Sequence, residues 1–195
     1  MTLDNFIQII KINQLNESNN FKTQRHEKKF SQFFISNGFE QIDKTSDVGK
    51  KIKKIKSLTF DPEFSGQNFF ISQPFGSQKT PDFIFVVNGW VVWIELKRSK
   101  GKTISWNTGY PKDNFLYIFD SEKLGRVIFF GQDHPIYGGK EKEYLEITNR
   151  IKLFSKELFD DTDFKHYFRK MLNDSGEYNI DYLYNKVIIT IENLN

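Results

Sequence analysis

Asn88-Gly89 interrupts an eighteen-residue, mostly apolar run, TPDFIFVVNGWVVWIELK, from Thr80 to Lys97. Asn-Gly between strand formers is the strongest short-range signal for a hairpin, because a type I′ turn needs positive φ at both central residues. A two-residue loop fixes the pairing. Val87 faces Trp90, Val86 faces Val91, Phe85 faces Val92, Ile84 faces Trp93, Phe83 faces Ile94, and Asp82 faces Glu95. Side chains alternate along each strand. One face therefore carries Asp82, Ile84, Val86, Val91, Trp93, Glu95 and Lys97, and the other Phe83, Phe85, Val87, Trp90, Val92, Ile94 and Leu96. Both faces are otherwise apolar, which predicts a central hairpin covered on both sides.

Charge is rare in buried strands unless it is paired or bound. The pairing brings Asp82 and Glu95 to about 4.5–5.5 Å, and like charges directly opposite one another destabilise a sheet. Two such carboxylates want a shared proton or a cation between them. Mg²⁺ is a natural answer, since it takes oxygen ligands and keeps several waters. Lys97, one step further on the same face, can orient or deprotonate a water attached to that ion and oppose charge developing on a phosphate. The chemistry indicated is phosphodiester hydrolysis. The plainer alternative is that Asp82 ends a loop after Pro81 while Glu95 and Lys97 form an ordinary charged pair at a strand end.

The chain has 195 residues, enough for a single domain spanning 1–195 with a real core. It has no cysteine, which excludes a disulfide framework and cysteine-based chemistry. No apolar stretch reaches membrane-spanning length and the N-terminus lacks a leader pattern, so the expectation is a soluble, cytoplasmic protein with no membrane partner. A net charge of +3 permits a nucleic-acid partner without demanding one. With 21 phenylalanines the core is expected to be largely aromatic.

Residues 1–12 suit a short helix, and 23–37 suit a second, with Phe30, Phe33, Phe34 and Asn37 at helical spacing and Gly38 as a stop. FLYIF (115–119) and RVIFFG (126–131) read as strands. Residues 98–114 read as a polar loop, 140–173 as mostly helical, and the tail YLYNKVIITIENL as containing a last strand. The expected fold class is α/β (α+β), a central mixed sheet flanked by helices.

Pro81-Asp82 followed by Glu95-Leu96-Lys97 resembles the PD-(D/E)xK nuclease superfamily. QPFGSQKTPDF (73–83) and SKGKTISWNTGYPKDNFLYIF (99–119) resemble the segments around that motif in type II restriction endonucleases. The resemblance covers about residues 73–131. It implies a restriction-endonuclease-like sheet, with Asp82, Glu95 and the backbone carbonyl of Leu96 binding Mg²⁺ and Lys97 acting on the water. It also implies an additional acid from an early helix. Glu27 matches by position, three and seven residues before Phe30 and Phe34, although it can equally lie in solvent at the rim of that face. Enzymes of this kind cut double-stranded DNA, commonly as twofold homodimers, beside a DNA methyltransferase that protects the host.

Candidate DNA contacts flank the motif. Ser99, Lys100, Lys102, Ser105, Trp106 and Asn107 follow Lys97, where amines meet phosphates, asparagine can read adenine and tryptophan can stack or wedge. Trp106 and Asn107 can equally hold their own loop together. Gln78, among the polar residues Gln73, Ser77 and Lys79, is expected near the scissile phosphate or a base edge. Lys50, Lys51, Lys53 and Lys54 belong to KKIKKIK, a phosphate-contact run or a solvated face. His26, His134 and His166 show no ligand spacing, and His134 is expected on a loop surface. The helical region 141–172 is either core packing or a dimer interface. The rival functions are a repair or structure-specific nuclease of the same fold, and a DNA-binding module without catalysis.

Overall fold

The computed structural model describes residues 1–12, 23–77, 79–106, 111–134, 146–147, 149–150, 153–154, 172–173 and 176–194. Nine strands are described: β1 (Glu40–Gln41), β2 (Thr59–Phe60), β3 (Asn68–Ser72), β4 (Phe83–Val87), β5 (Trp90–Ser99), β6 (Ser105–Trp106), β7 (Leu116–Ser121), β8 (Gly125–Phe130) and β9 (Leu172–Asn173). The helices are α1 (Leu3–Ile12), α2 (Thr23–Ser36), α3 (Asp47–Ile52) and α4 (Ile180–Glu192). Seven strands form a mixed sheet in the order β1-β3-β4-β5-β7-β8, with β2 paired to β5 off that path, and β6 pairs with β9 separately. The fold is mixed α/β with helices against the sheet.

The central hairpin has the register that its turn dictates, from Val87 opposite Trp90 to Phe83 opposite Ile94. Asn88 and Gly89 both have positive φ, at 49° and 90°. Gly89 is required twice over, since a Cβ there would lie 2.5 Å from the Phe60 ring. The Asn88 side chain accepts a bond from the Gly66 amide at 2.8 Å, tying the turn to the loop before β3.

The two hairpin faces enter different cores. Phe83, Phe85, Val87, Val92 and Ile94 pack with Phe6, Ile7 and Ile10 of α1, Phe30 and Phe34 of α2, and Val187 and Ile191 of α4. Ile84, Val86 and Val91 pack with Ile52 of α3, Phe64, Phe69 and Ile71. The first core is aromatic as expected: the Phe34 and Phe85 ring centroids lie 4.7 Å apart, and those of Phe6 and Phe85 5.1 Å. Burying each such ring stabilises the fold by about 1.5–3 kcal/mol. Gly38, at φ 85°, ends α2 and turns the chain into β1.

One expectation is corrected. The tail is helix α4, not a strand. Its β-branched residues suggested a strand, but Leu183, Tyr184, Val187 and Ile191 are buried at helical spacing and Asn179 caps the N-terminus by accepting from Tyr182 N–H at 3.0 Å. The FFIS stretch lies in β3, paired along its whole length with β4 and through Phe69 and Phe70 with β1. Most of the expected 140–173 helix lies outside the described residues; of it, residues 146–147, 149–150 and 153–154 are helical and β9 is a strand. Among the described residues no helix is long and apolar enough to cross a membrane.

Candidate active site

The site forms where two neighbours of one strand stop at different places. β4 pairs with β5 only as far as Phe83 opposite Ile94, whereas β7 stays paired with β5 through Ser99. From Glu95 onward the β4 side of β5 has lost its strand partner. Asp82, the last residue before β4, fills the gap: its Oδ2 accepts the Leu96 N–H at 2.8 Å. The N–H and C=O of one strand residue point to the same side. The Leu96 carbonyl is therefore directed toward Asp82.

Lys97 Nζ donates to Glu95 Oε1 at 2.7 Å, and both residues are buried, at 9% and 4% exposure. The other oxygen, Glu95 Oε2, is buried without a hydrogen-bond partner. Burial, then the charge of Glu95, pushes the Asp82 carboxyl up to about 7, against the pull of the Leu96 amide. Burial likewise raises Glu95, although the ammonium of Lys97 works against the rise. Two acids thus share one ammonium in a desolvated corner.

That donor set fits a hard cation. A buried carboxylate oxygen is unused, two carboxylates resist ionising together, and a backbone carbonyl is directed to the same place. Among the described residues no three His, Asp or Glu side chains converge closely enough to hold an ion by themselves. Mg²⁺ needs fewer, being held through one or two carboxylates with water and substrate phosphate completing its shell.

Glu27, on the first turns of α2, belongs to this neighbourhood. Its charge adds to the rise at both Asp82 and Glu95. Gln73 holds it, donating from Nε2 to Glu27 Oε2 at 2.7 Å. Gln73 itself is bound to the site through its backbone, donating N–H to the Asp82 carbonyl at 2.7 Å. The sequence marked Gln73 only as polar. Its one legible signal was its position just ahead of Asp82, since its side-chain partner is 46 residues away. Tyr117 lies opposite Glu95 in the β5–β7 register, its hydroxyl accepting the Lys112 N–H at 2.9 Å. Burial raises its phenol further above the ordinary range.

The remaining candidates are more scattered. Lys79, Lys100 and Lys102 are exposed on segments flanking the acids. Ser105 is exposed on β6, while Ser99 Oγ accepts the Gly101 N–H at 3.0 Å and stabilises its turn. Of its two readings, Trp106 has the packing one and not that of a DNA wedge: 1% exposed, it packs at 5.1 Å from the Tyr117 ring, with Lys97 Nζ 5.8 Å from its own centroid. His134 is also corrected from the surface to the interior, where it shares a hydrogen bond with the Tyr178 hydroxyl at 3.0 Å. The lysines on and after α3 have partners of their own. Lys50 pairs with Asp47, Lys51 with Glu63 and Asp61, and Lys53 Nζ donates to the Lys44 carbonyl at 2.8 Å, whereas Lys54 is exposed. Gln78 and Asn107 lie outside the described residues.

No protein-family model, curated protein or solved structure matches this chain.

Proposed function

We propose that this protein is a Mg²⁺-dependent endonuclease that hydrolyses phosphodiester bonds in double-stranded DNA, of the type II restriction kind, on a restriction-endonuclease-like sheet. One observation carries the reading. An acid pair, Glu95 buried and Asp82 half-buried, exceeds its single ammonium, Lys97, and leaves Glu95 Oε2 without a partner. Such an arrangement costs stability and is worth retaining only for what it binds.

Asp82, Glu95 and the Leu96 carbonyl would hold Mg²⁺, which when bound supplies Lewis-acid stabilisation of charge on a phosphate. The residues of the chain do the rest. The Leu96 amide fixes the Asp82 carboxylate in orientation. Glu95 holds the Lys97 ammonium in the site, where Nζ can orient an attacking water or donate to a non-bridging phosphate oxygen. The exposed amines of Lys79, Lys100 and Lys102 are suited to the DNA backbone. The restriction assignment, with a homodimer, a cytoplasmic location and a protecting methyltransferase, rests on the motif resemblance.

The test is incubation of the purified protein with phage DNA and MgCl₂. Discrete fragments that depend on Mg²⁺ are expected, and Asp82→Ala or Lys97→Ala should fold but leave the DNA intact. Wild-type-like cutting by either variant would end the assignment. Cutting confined to junctions or flaps would favour a repair nuclease, and DNA affinity without cleavage or cation binding a non-catalytic module.

A further inference from the structure

We propose that Gln73 is a positioning residue that fixes Glu27 as an outer carboxylate of the acid pair and thereby raises the affinity of the site for a divalent cation. The inference rests on the reading of Asp82 and Glu95 as cation ligands.

Gln73 has φ 46°, a conformation that side-chain-bearing residues rarely adopt. Three contacts impose it. Its N–H donates to the Asp82 carbonyl at 2.7 Å, and its own carbonyl accepts from the Gly76 N–H at 3.1 Å and from Lys44 Nζ at 3.4 Å. Were Gln73 only a turn residue, glycine or asparagine would meet that need with less strain. The longer side chain does something they cannot: its amide reaches Glu27 at 2.7 Å.

The chemistry of the clasp matters. A lysine or arginine holding Glu27 would cancel its charge. A neutral amide immobilises the carboxylate without cancelling its charge, which acts on both Asp82 and Glu95. Mg²⁺ retains several of its waters. A fixed carboxylate just outside the ligand set can hydrogen-bond those waters, the usual role of supporting groups around a metal. The same strand end thus delivers two things, since one residue binds the Asp82 carbonyl through its backbone and Glu27 through its side chain.

The test is titration of the DNA-free protein with Mn²⁺, counting free ion by its EPR signal, alongside thermal melting. Gln73→Gly removes the amide and relieves the backbone. It should melt at or above the wild-type temperature yet bind Mn²⁺ about tenfold more weakly. Glu27→Gln should lose at least as much affinity, and the double variant no more than Glu27→Gln alone. Gln73→Asn also tolerates positive φ but is one methylene short, and it substitutes if the glycine variant does not fold. Unchanged Mn²⁺ affinity in both Gln73 variants, or additive losses in the double variant, would overturn the proposal while leaving the nuclease reading intact. A wild-type protein that binds no Mn²⁺ would overturn the cation reading and this proposal together.

Discussion

Two largely buried charge clusters sit on the same sheet, and they are built to opposite rules. Asp120 and Arg126 face each other across β7 and β8. Arg126 donates from Nε and Nη2 to the two Asp120 oxygens, at 2.6 and 2.7 Å, and from Nη1 to the Ile10 carbonyl at the end of α1, at 3.0 Å. Both carboxylate oxygens and all three guanidinium nitrogens are used, a helix C-terminus is capped, and Arg98, opposite Asp120 in the β5–β7 register, adds a second cation near the same acid. Asp82, Glu95 and Lys97 have two acids to one base, and one carboxylate oxygen has no partner. The first cluster is complete and serves as a staple. The second, on the function proposed above, is completed by a bound cation. Burial alone does not separate a structural ion pair from a functional one; the charge balance does.

The sharpest test of that contrast is to remove the base from each. Arg126→Met should cost about 3–5 kcal/mol in urea denaturation, because it removes the two-pronged partner of Asp120 and uncaps α1. Lys97→Met should lower DNA cleavage by about 10²–10³-fold. It should cost much less stability, because the two acids left behind already take up protons readily. Comparable stability losses in the two variants would break the comparison.

Asp82→Asn reverses the usual sign of a buried mutation. The folded-state pKa of Asp82 lies above its unfolded value, at about 7 against 3.8, so the folded protein binds more protons than the unfolded one between those values. Stability is therefore lost as pH rises through that window. A neutral amide in place of the carboxyl carries no such penalty. The variant should melt higher than wild type at pH 7.5, by about 2–4 °C for each kcal/mol relieved, and the gap should shrink toward pH 5. An equal gap at both pH values would contradict the assignment. The smallest expected effect is thermal stabilisation of wild type by 10 mM MgCl₂, on the order of 1 kcal/mol for a millimolar site, and absent in Asp82→Asn.

How much of this was legible in the sequence follows from how local each determinant is. Asn88-Gly89 sets the hairpin register within two residues, so the opposition of Asp82 and Glu95 and the side of Lys97 could be counted out directly. Glu27 could be reached only through the motif resemblance, which implies an acid from an early helix; the phenylalanine spacing of α2 says no more than that it lies on or at the rim of an apolar face. Gln73 could not, since its φ is imposed by Asp82 and Gly76 and its side-chain partner belongs to another element. The α4 segment misled because β-branched residues favour strands in isolation, whereas burial of Val187 and Ile191 against the first core decides for helix. Trp106 and His134 sit in polar stretches yet point into one aromatic cluster with Phe129, a tertiary fact with no local trace.

The central claim is that the corner between Asp82 and Glu95 is a cation site. Anomalous diffraction from a crystal soaked in MnCl₂ reads it directly. A peak within ligand distance of both carboxylates and the Leu96 carbonyl is the predicted result. Lys97 still bridged to Glu95 with no peak beside it, at a Mn²⁺ concentration that supports other sites, would contradict it.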